Sequence, residues 1–240
     1  MTNRAWLRFG AACGILGVVL LFVGFGLFLS NFVNIDSQGQ QAPGGFLSRE
    51  SMARYIAQPI NTGGWVGLYL ETLAAFVLFV FAARLWVRLR RAEGDPAWLA
   101  AIALGAQLGW LCLTLISLAA EAAIYVRAGQ GADVTIALTL NDLQRTTYFM
   151  SWALTALFLG ATAAVALGAH ALPRWLGWSA AGIAVLVGVA LLAPTSDLAQ
   201  NTTFLVVFWI AAASIVLLRQ GEEARPAVSL PSVTSSVSAG

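Results

Sequence analysis

The chain has 240 residues, 59% of them hydrophobic and only 10% charged, with a mean hydropathy of +0.80. A soluble domain of this size keeps roughly a quarter of its residues charged, so the composition excludes an ordinary water-soluble fold and implies an integral membrane protein. A net charge of +2 argues against nucleic acid as a partner, and the lipid bilayer is the partner the composition demands.

Arg4 and Arg8 precede an apolar run that continues to about residue 32. A secretory signal has a core of roughly 7–15 residues and a small-residue cleavage site. This run is longer and lacks a clean site, so it reads as a retained first span. Within it, Gly10, Gly14, Gly17 and Gly24 share one helical face, a pattern suited to close packing on a neighbouring helix.

Six segments reach the length of about 20 apolar residues that a membrane helix needs. They are 9–32, 65–89, 97–126, 143–169, 175–193 and 198–218. The expected fold is therefore all-α: an integral membrane bundle of six transmembrane helices over residues 1–220. The polar stretch 221–240, rich in Ser, Val and Ala, is expected to be a disordered tail.

The loop 33–64 holds a turn-rich part, 38–45, and then an amphipathic helix over 48–57. Met52, Tyr55 and Ile56 share a face there, and Glu50 and Arg54 stand at i,i+4. This short helix is expected to lie on the membrane or to cap the bundle.

Arginine supplies all thirteen basic residues, and its placement sets the orientation. Arg4, Arg8, Arg84, Arg88, Arg90, Arg91, Arg174, Arg219 and Arg225 fall on one side; Arg49, Arg54, Arg127 and Arg145 fall on the other. Both termini are thus expected in the cytoplasm, with loop 33–64 outside; the membrane is expected to be a bacterial inner membrane.

The third span carries Gln107, Trp110, Thr114, Ser117, Glu121 and Tyr125. At 100° per residue these fall within an arc of about 80°, and the span is expected to sit at the centre of the bundle. Polar groups are costly in lipid, so such a face turns toward other helices or a wet cavity. The fourth span has a similar stripe in Gln144, Thr147, Ser151, Thr155 and Thr162, with Asp142, Arg145 and Tyr148 at its outer end. Asn31, Asn34, Asp197, Gln200, Asn201 and Thr202 add polar groups on the same side. Glu71 and Glu121 each lie roughly 9 Å inside the outer boundary, at 1.5 Å per residue.

The chemistry that these residues exclude is clear. One histidine, His170, cannot support a bis-histidine haem or a histidine-rich metal site. No metal and no cofactor is expected. H-E-x-x-H, G-x-S-x-G and P-loop motifs are absent from the sequence. Cys13 and Cys112 lie in apolar spans and read as packing residues. Trp65, Trp86, Trp98, Trp175 and Trp178 mark span ends as interfacial belts.

The turn Leu172-Pro173-Arg174-Trp175-Leu176-Gly177-Trp178, the segment Met52-Ala53-Arg54-Tyr55-Ile56-Ala57 and the arginine-rich turn after the second span carry a family resemblance. The chain resembles a large bacterial family of six-span membrane proteins grouped as a domain of unknown function. The resemblance implies the six-span layout and implies no chemistry.

Three functions fit these residues. The first is binding or transport of a small amphiphilic or apolar ligand in an outward-facing polar pocket. Its walls would come from Glu71, Gln107, Trp110, Thr114, Ser117, Glu121, Tyr125, Arg145, Thr147, Ser151 and Thr155. The second is an accessory or scaffold subunit that binds another membrane protein or a second copy of itself. The third is an intramembrane enzyme using the two carboxylates.

Overall fold

Six long helices and one short one make up the described part of the chain, in the order α1 Asn3–Asp36, α2 Arg49–Ile56, α3 Thr62–Glu93, α4 Trp98–Arg127, α5 Val134–Gly168, α6 Arg174–Leu192 and α7 Asp197–Gln220. The structure is a computed structural model and describes residues 3–36, 47–57, 59–192 and 197–220. Among these residues there is no strand. The turn expected at 38–45 and the tail 221–240 lie outside them, as do the side chains of Asn31, Asn34, Asp197, Gln200 and Asn201.

Every helix except α2 is long and apolar enough to cross a membrane. Their neighbours close a ring: α1 packs on α3, α3 on α4, α4 on α5, α5 on α6, α6 on α7, and α7 returns to α1. Short connections impose this order, because a helix that reverses in a few residues packs on the one before it. The outward faces carry large apolar side chains such as Phe9, Val19, Phe76, Val185 and Leu192, as a lipid-facing surface requires. Trp98, Trp175 and Trp178 are more than half exposed at helix ends.

Helix α1 joins α3 through its glycine face. A Cβ on Gly10, Gly14, Gly17 or Gly24 would meet Arg84, Phe81, Leu78 or Glu71 in turn. The partner numbers fall as the glycine numbers rise, so the helices run antiparallel with backbones in close approach. At Gly14 the added carbon would also strike the Ser214 hydroxyl of α7.

The expected start of the fourth span is corrected. Its helix, α5, begins at Val134 rather than near 143. Asp133 caps it by accepting from the Thr135 N–H at 2.6 Å. That hydrogen bond, first among the causes, holds the exposed Asp133 carboxyl below its ordinary range. Thr139 Oγ1 donates to the Thr135 carbonyl at 2.9 Å, so a polar stretch without high hydropathy still continues the helix.

The centre of the bundle is also corrected. In α5, 50% of the most apolar window is buried; in α4 the share is 28%. Helix α4 has one polar face turned inward and the rest turned to lipid, whereas α5 touches α2, α3, α4 and α6.

The amphipathic helix α2 covers one end of the bundle. Ser48 caps it, accepting from the Ser51 N–H at 3.1 Å. Met52, Tyr55 and Ile56 are buried and pack with Leu68, Leu118, Ile124, Tyr125 and Ala137 from α3, α4 and α5. The α4–α5 turn fastens it: Gly129 N–H donates to the Ile56 carbonyl at 2.8 Å.

Ties at the opposite end come from arginine. Arg84 Nε donates to the Leu7 carbonyl at 3.2 Å, and Arg88 Nε donates to the Ala171 carbonyl at 3.0 Å. Glu93 reaches across the α3–α4 turn and accepts from Leu99 and Ala100 N–H at 3.0 and 2.8 Å. A carboxylate on those free N–H groups also meets the positive end of the α4 dipole.

Candidate functional site

The polar arc of α4 turns into the bundle, as its spacing predicts, and α5 is the wall it meets. Gln107, Ser117, Glu121 and Tyr125 are buried, while Trp110 and Thr114 are half-buried. Ser117 Oγ donates to the Gln144 carbonyl of α5 at 3.2 Å. One turn further out, Gln144 Nε2 donates to Glu121 Oε2 at 2.8 Å. Asn141 Nδ2 in turn donates to Gln144 Oε1 at 3.4 Å. Asn141, Gln144 and Glu121 therefore form one hydrogen-bonded chain between two helices.

Two further helices, α2 and α3, and α5 itself bring more groups to this cluster. From α2, Tyr55 stands with its ring buried beside Tyr125 and within reach of the Glu121 charge. Burial, and then the Glu121 charge, push the Tyr55 hydroxyl well above its ordinary range, so it is neutral at any physiological pH. From α3, Trp65 packs edge-on against Tyr125 with ring centres 5.4 Å apart. Also from α3, Glu71 lies close enough to Glu121 to feel its charge. Glu71 is half-buried against Gly24, but its Oε1 is fully buried and accepts no hydrogen bond from the described residues. From α5, Arg145 places its positive charge near Glu121 and Tyr148. Tyr148 reaches α7, 3.2 Å from Thr203 Oγ1.

The eleven residues expected to line one pocket separate into two groups. Glu71, Ser117, Glu121, Tyr125 and Arg145 converge at the α2 end. Gln107 is fourteen residues before Glu121, about 21 Å along the helix axis, and Trp110 packs on the large apolar core instead. Thr114 lies between the two groups.

Three hydroxyls of the α5 stripe are spent on its own helix, while the Thr162 hydroxyl is buried without a hydrogen-bond partner among the described residues. Thr147 Oγ1 donates to the Leu143 carbonyl at 2.8 Å, Ser151 Oγ to the Tyr148 carbonyl at 2.7 Å, and Thr155 Oγ1 to the Ser151 carbonyl at 3.1 Å. Below Ser117 the space between α4 and α5 is thus a packed seam, with Leu154 against Gly109.

Tyr55, Gln144 and Asn141 belong to the site, and spacing alone does not single them out. Gln144 looks like any member of a Thr/Ser stripe until its rotation about α5 sets it opposite Glu121. The two cysteines differ as well. Cys13 is buried in the core, but Cys112 is exposed on the outer face of α4, which corrects its reading as a packing residue. No group of three or more His, Cys, Asp or Glu side chains that could hold a metal ion occurs among the described residues.

No family model, no curated protein and no solved structure matches this chain.

Proposed function

We propose that this chain binds or transports a small amphiphilic ligand at the Glu71–Glu121 cluster, entering from the side covered by α2. The observation that carries the reading is Glu71 Oε1, buried and without a hydrogen-bond donor beside a second carboxylate. A carboxylate oxygen in that state is stabilised by a ligand that brings its own donor or positive charge. Trp65, Tyr55 and Tyr125 offer aromatic faces around it, which suit the apolar part of an organic cation. Arginine distribution supports the α2 side as the outer one, and the resemblance to a bacterial family supports an inner-membrane location. The six-span layout and the Leu172 to Trp178 turn support kinship with the bacterial family of unknown function.

The probe for this reading is a lipophilic cation, tetraphenylphosphonium, titrated against the purified full chain in detergent. Glu71→Gln is expected to weaken its binding at least about tenfold, since a unit positive charge about 8 Å from a carboxylate at an effective dielectric of about 20 gains roughly 2 kcal/mol. Equal affinity in Glu71→Gln and the parent protein, with both folded, rejects the ligand site.

A second reading, an accessory or self-associating subunit, rests on a different face. Ala101, Gly105, Leu108, Cys112, Ile116, Ala119 and Ala123 are exposed in one line along α4. Their spacings are all three or four residues, as in a helix–helix seam. The glycine face of α1 is already occupied by α3 and cannot serve a partner. If two copies meet through α4, mild oxidation in native membranes links Cys112 to Cys112 and Cys112→Ser abolishes the dimer band. A chain that stays monomeric on the gel under oxidation removes this reading.

A further inference from the structure

Helix α3 is bracketed by two tryptophans. Trp65 and Trp86 are 21 residues apart, about 31 Å along the axis, which equals the hydrocarbon thickness of a bilayer. Trp86 therefore marks the level where acyl chains give way to headgroups. Just beyond it, an open depression of about 420 Å³ is lined by Trp86, Val87, Arg90, Arg91, Gly94 and Asp95. This site lies at the opposite end of the bundle from Glu71 and does not depend on the function proposed for that end.

The charges around the depression are unequal in what they already do. Arg84 and Arg88 are held by backbone carbonyls, and Glu93 is held by the α4 N-terminus. Arg90, Arg91 and Asp95 are exposed. The Arg90 guanidinium sits 5.5 Å from the centre of the Trp86 ring, which orients it while leaving its N–H fork available. Gly94, at φ +76, ends α3 and its N–H turns back to the Arg90 carbonyl at 3.1 Å. That turn sets Asp95 on the same depression as the two guanidiniums.

Two positive groups, one negative group and a half-buried Trp–Val floor at headgroup level make a particular recognition pattern. From it we infer a binding site for the headgroup of an amine-bearing phospholipid of the phosphoethanolamine class. The phosphodiester accepts from Arg90 and Arg91, a geometry for which arginine forks are suited. The primary ammonium donates to Asp95. The acyl chains run down past Trp86 and Val87 onto the exposed apolar surface of α3, where Val80, Phe76 and Leu73 face outward. A wholly anionic headgroup would set its charge against Asp95, and a trimethylated one has no N–H to donate to it.

The test counts lipids retained by the purified full chain in native mass spectrometry. Dioleoyl phosphatidylethanolamine, phosphatidylglycerol and phosphatidylcholine are added separately, with soluble glycerophosphoethanolamine as a fourth arm. The parent protein is expected to retain phosphatidylethanolamine at least about fivefold more than either other lipid. Arg90→Gln with Arg91→Gln is expected to remove that excess. Asp95→Asn is expected to keep lipid binding but to equalise phosphatidylethanolamine and phosphatidylglycerol. All three residues are exposed, and identical elution of parent and variants checks folding. Equal retention of the three lipids by the parent overturns the inference, as does an unchanged excess in the double arginine variant or in Asp95→Asn. Competition by glycerophosphoethanolamine as strong as by the lipid also overturns it, because the ligand would then be a soluble phosphoamine.

Discussion

Gly14→Leu is expected to prevent the bundle from assembling, or to lower its melting temperature in detergent by on the order of 10 °C. Gly14 is where three helices meet. A Cβ there would lie 2.7 Å from Phe81 Cδ2 and would collide with the Ser214 hydroxyl. Phe81 and Ser214 are themselves buried, at 2% and 0% exposure, so neither can swing away. Ser214 is also held, donating to the Ile210 carbonyl at 2.7 Å. Inserting bulk into such a contact costs about 1–3 kcal/mol where side chains can yield, and more where they cannot. Gly26 on the same helix has nothing within 4 Å of an added Cβ. Gly26→Leu should therefore melt like the parent protein. A Gly14→Leu chain that does the same would mean that α1 is not seated on α3 and α7 as described.

The second large effect is expected at Gly129, and it should be local. Gly129 has φ +75, where a side chain costs about 1–2 kcal/mol. A Cβ would also come within 2.7 Å of Pro59 N and 2.8 Å of Pro59 Cδ, and backbone and ring atoms cannot rotate away. Gly129→Val should break the hydrogen bond to the Ile56 carbonyl and lift α2 off the bundle. Hydrogen exchange is expected to show α2 amides losing most of their protection while the interiors of α4 and α5 keep theirs, since local openings cost less than global unfolding. Gly131 has φ +73 but open space around it, so Gly131→Val should show only the backbone cost and leave α2 protected. Unchanged exchange in Gly129→Val would contradict the docking of α2 through this turn.

Much of the fold was legible in the sequence because membrane helices obey two simple constraints, length and burial of polar groups. The six apolar segments, the inward arc of α4 and the α1 glycine face all follow from 3.6-residue periodicity, and each has its counterpart in the structure. The start of α5 was not legible, because hydropathy falls through Thr135, Thr139 and Asn141 while the helix continues on local hydrogen bonds. The Asn141–Gln144–Glu121 chain was not legible either. Periodicity tells which residues share a face of one helix, but not how two helices are rotated against each other. For the same reason the α5 hydroxyls looked like a wall of a cavity. Their bonds to carbonyls three and four residues back are invisible to a reading that counts polarity and not partners.

The arginine ties described above give the bundle unequal ends. At one end Arg84, Arg88 and Glu93 tie α3 to α1, to the α5–α6 turn and to α4 by side-chain bonds to backbone atoms. At the other end α4 and α5 are linked through the flexible tips of Gln144 and Glu121, under a helix of only eight residues. Helix α2 and its tie to Gly129 thus cover the end that holds Glu71 and Glu121, while the arginine ties hold the opposite end independently of it.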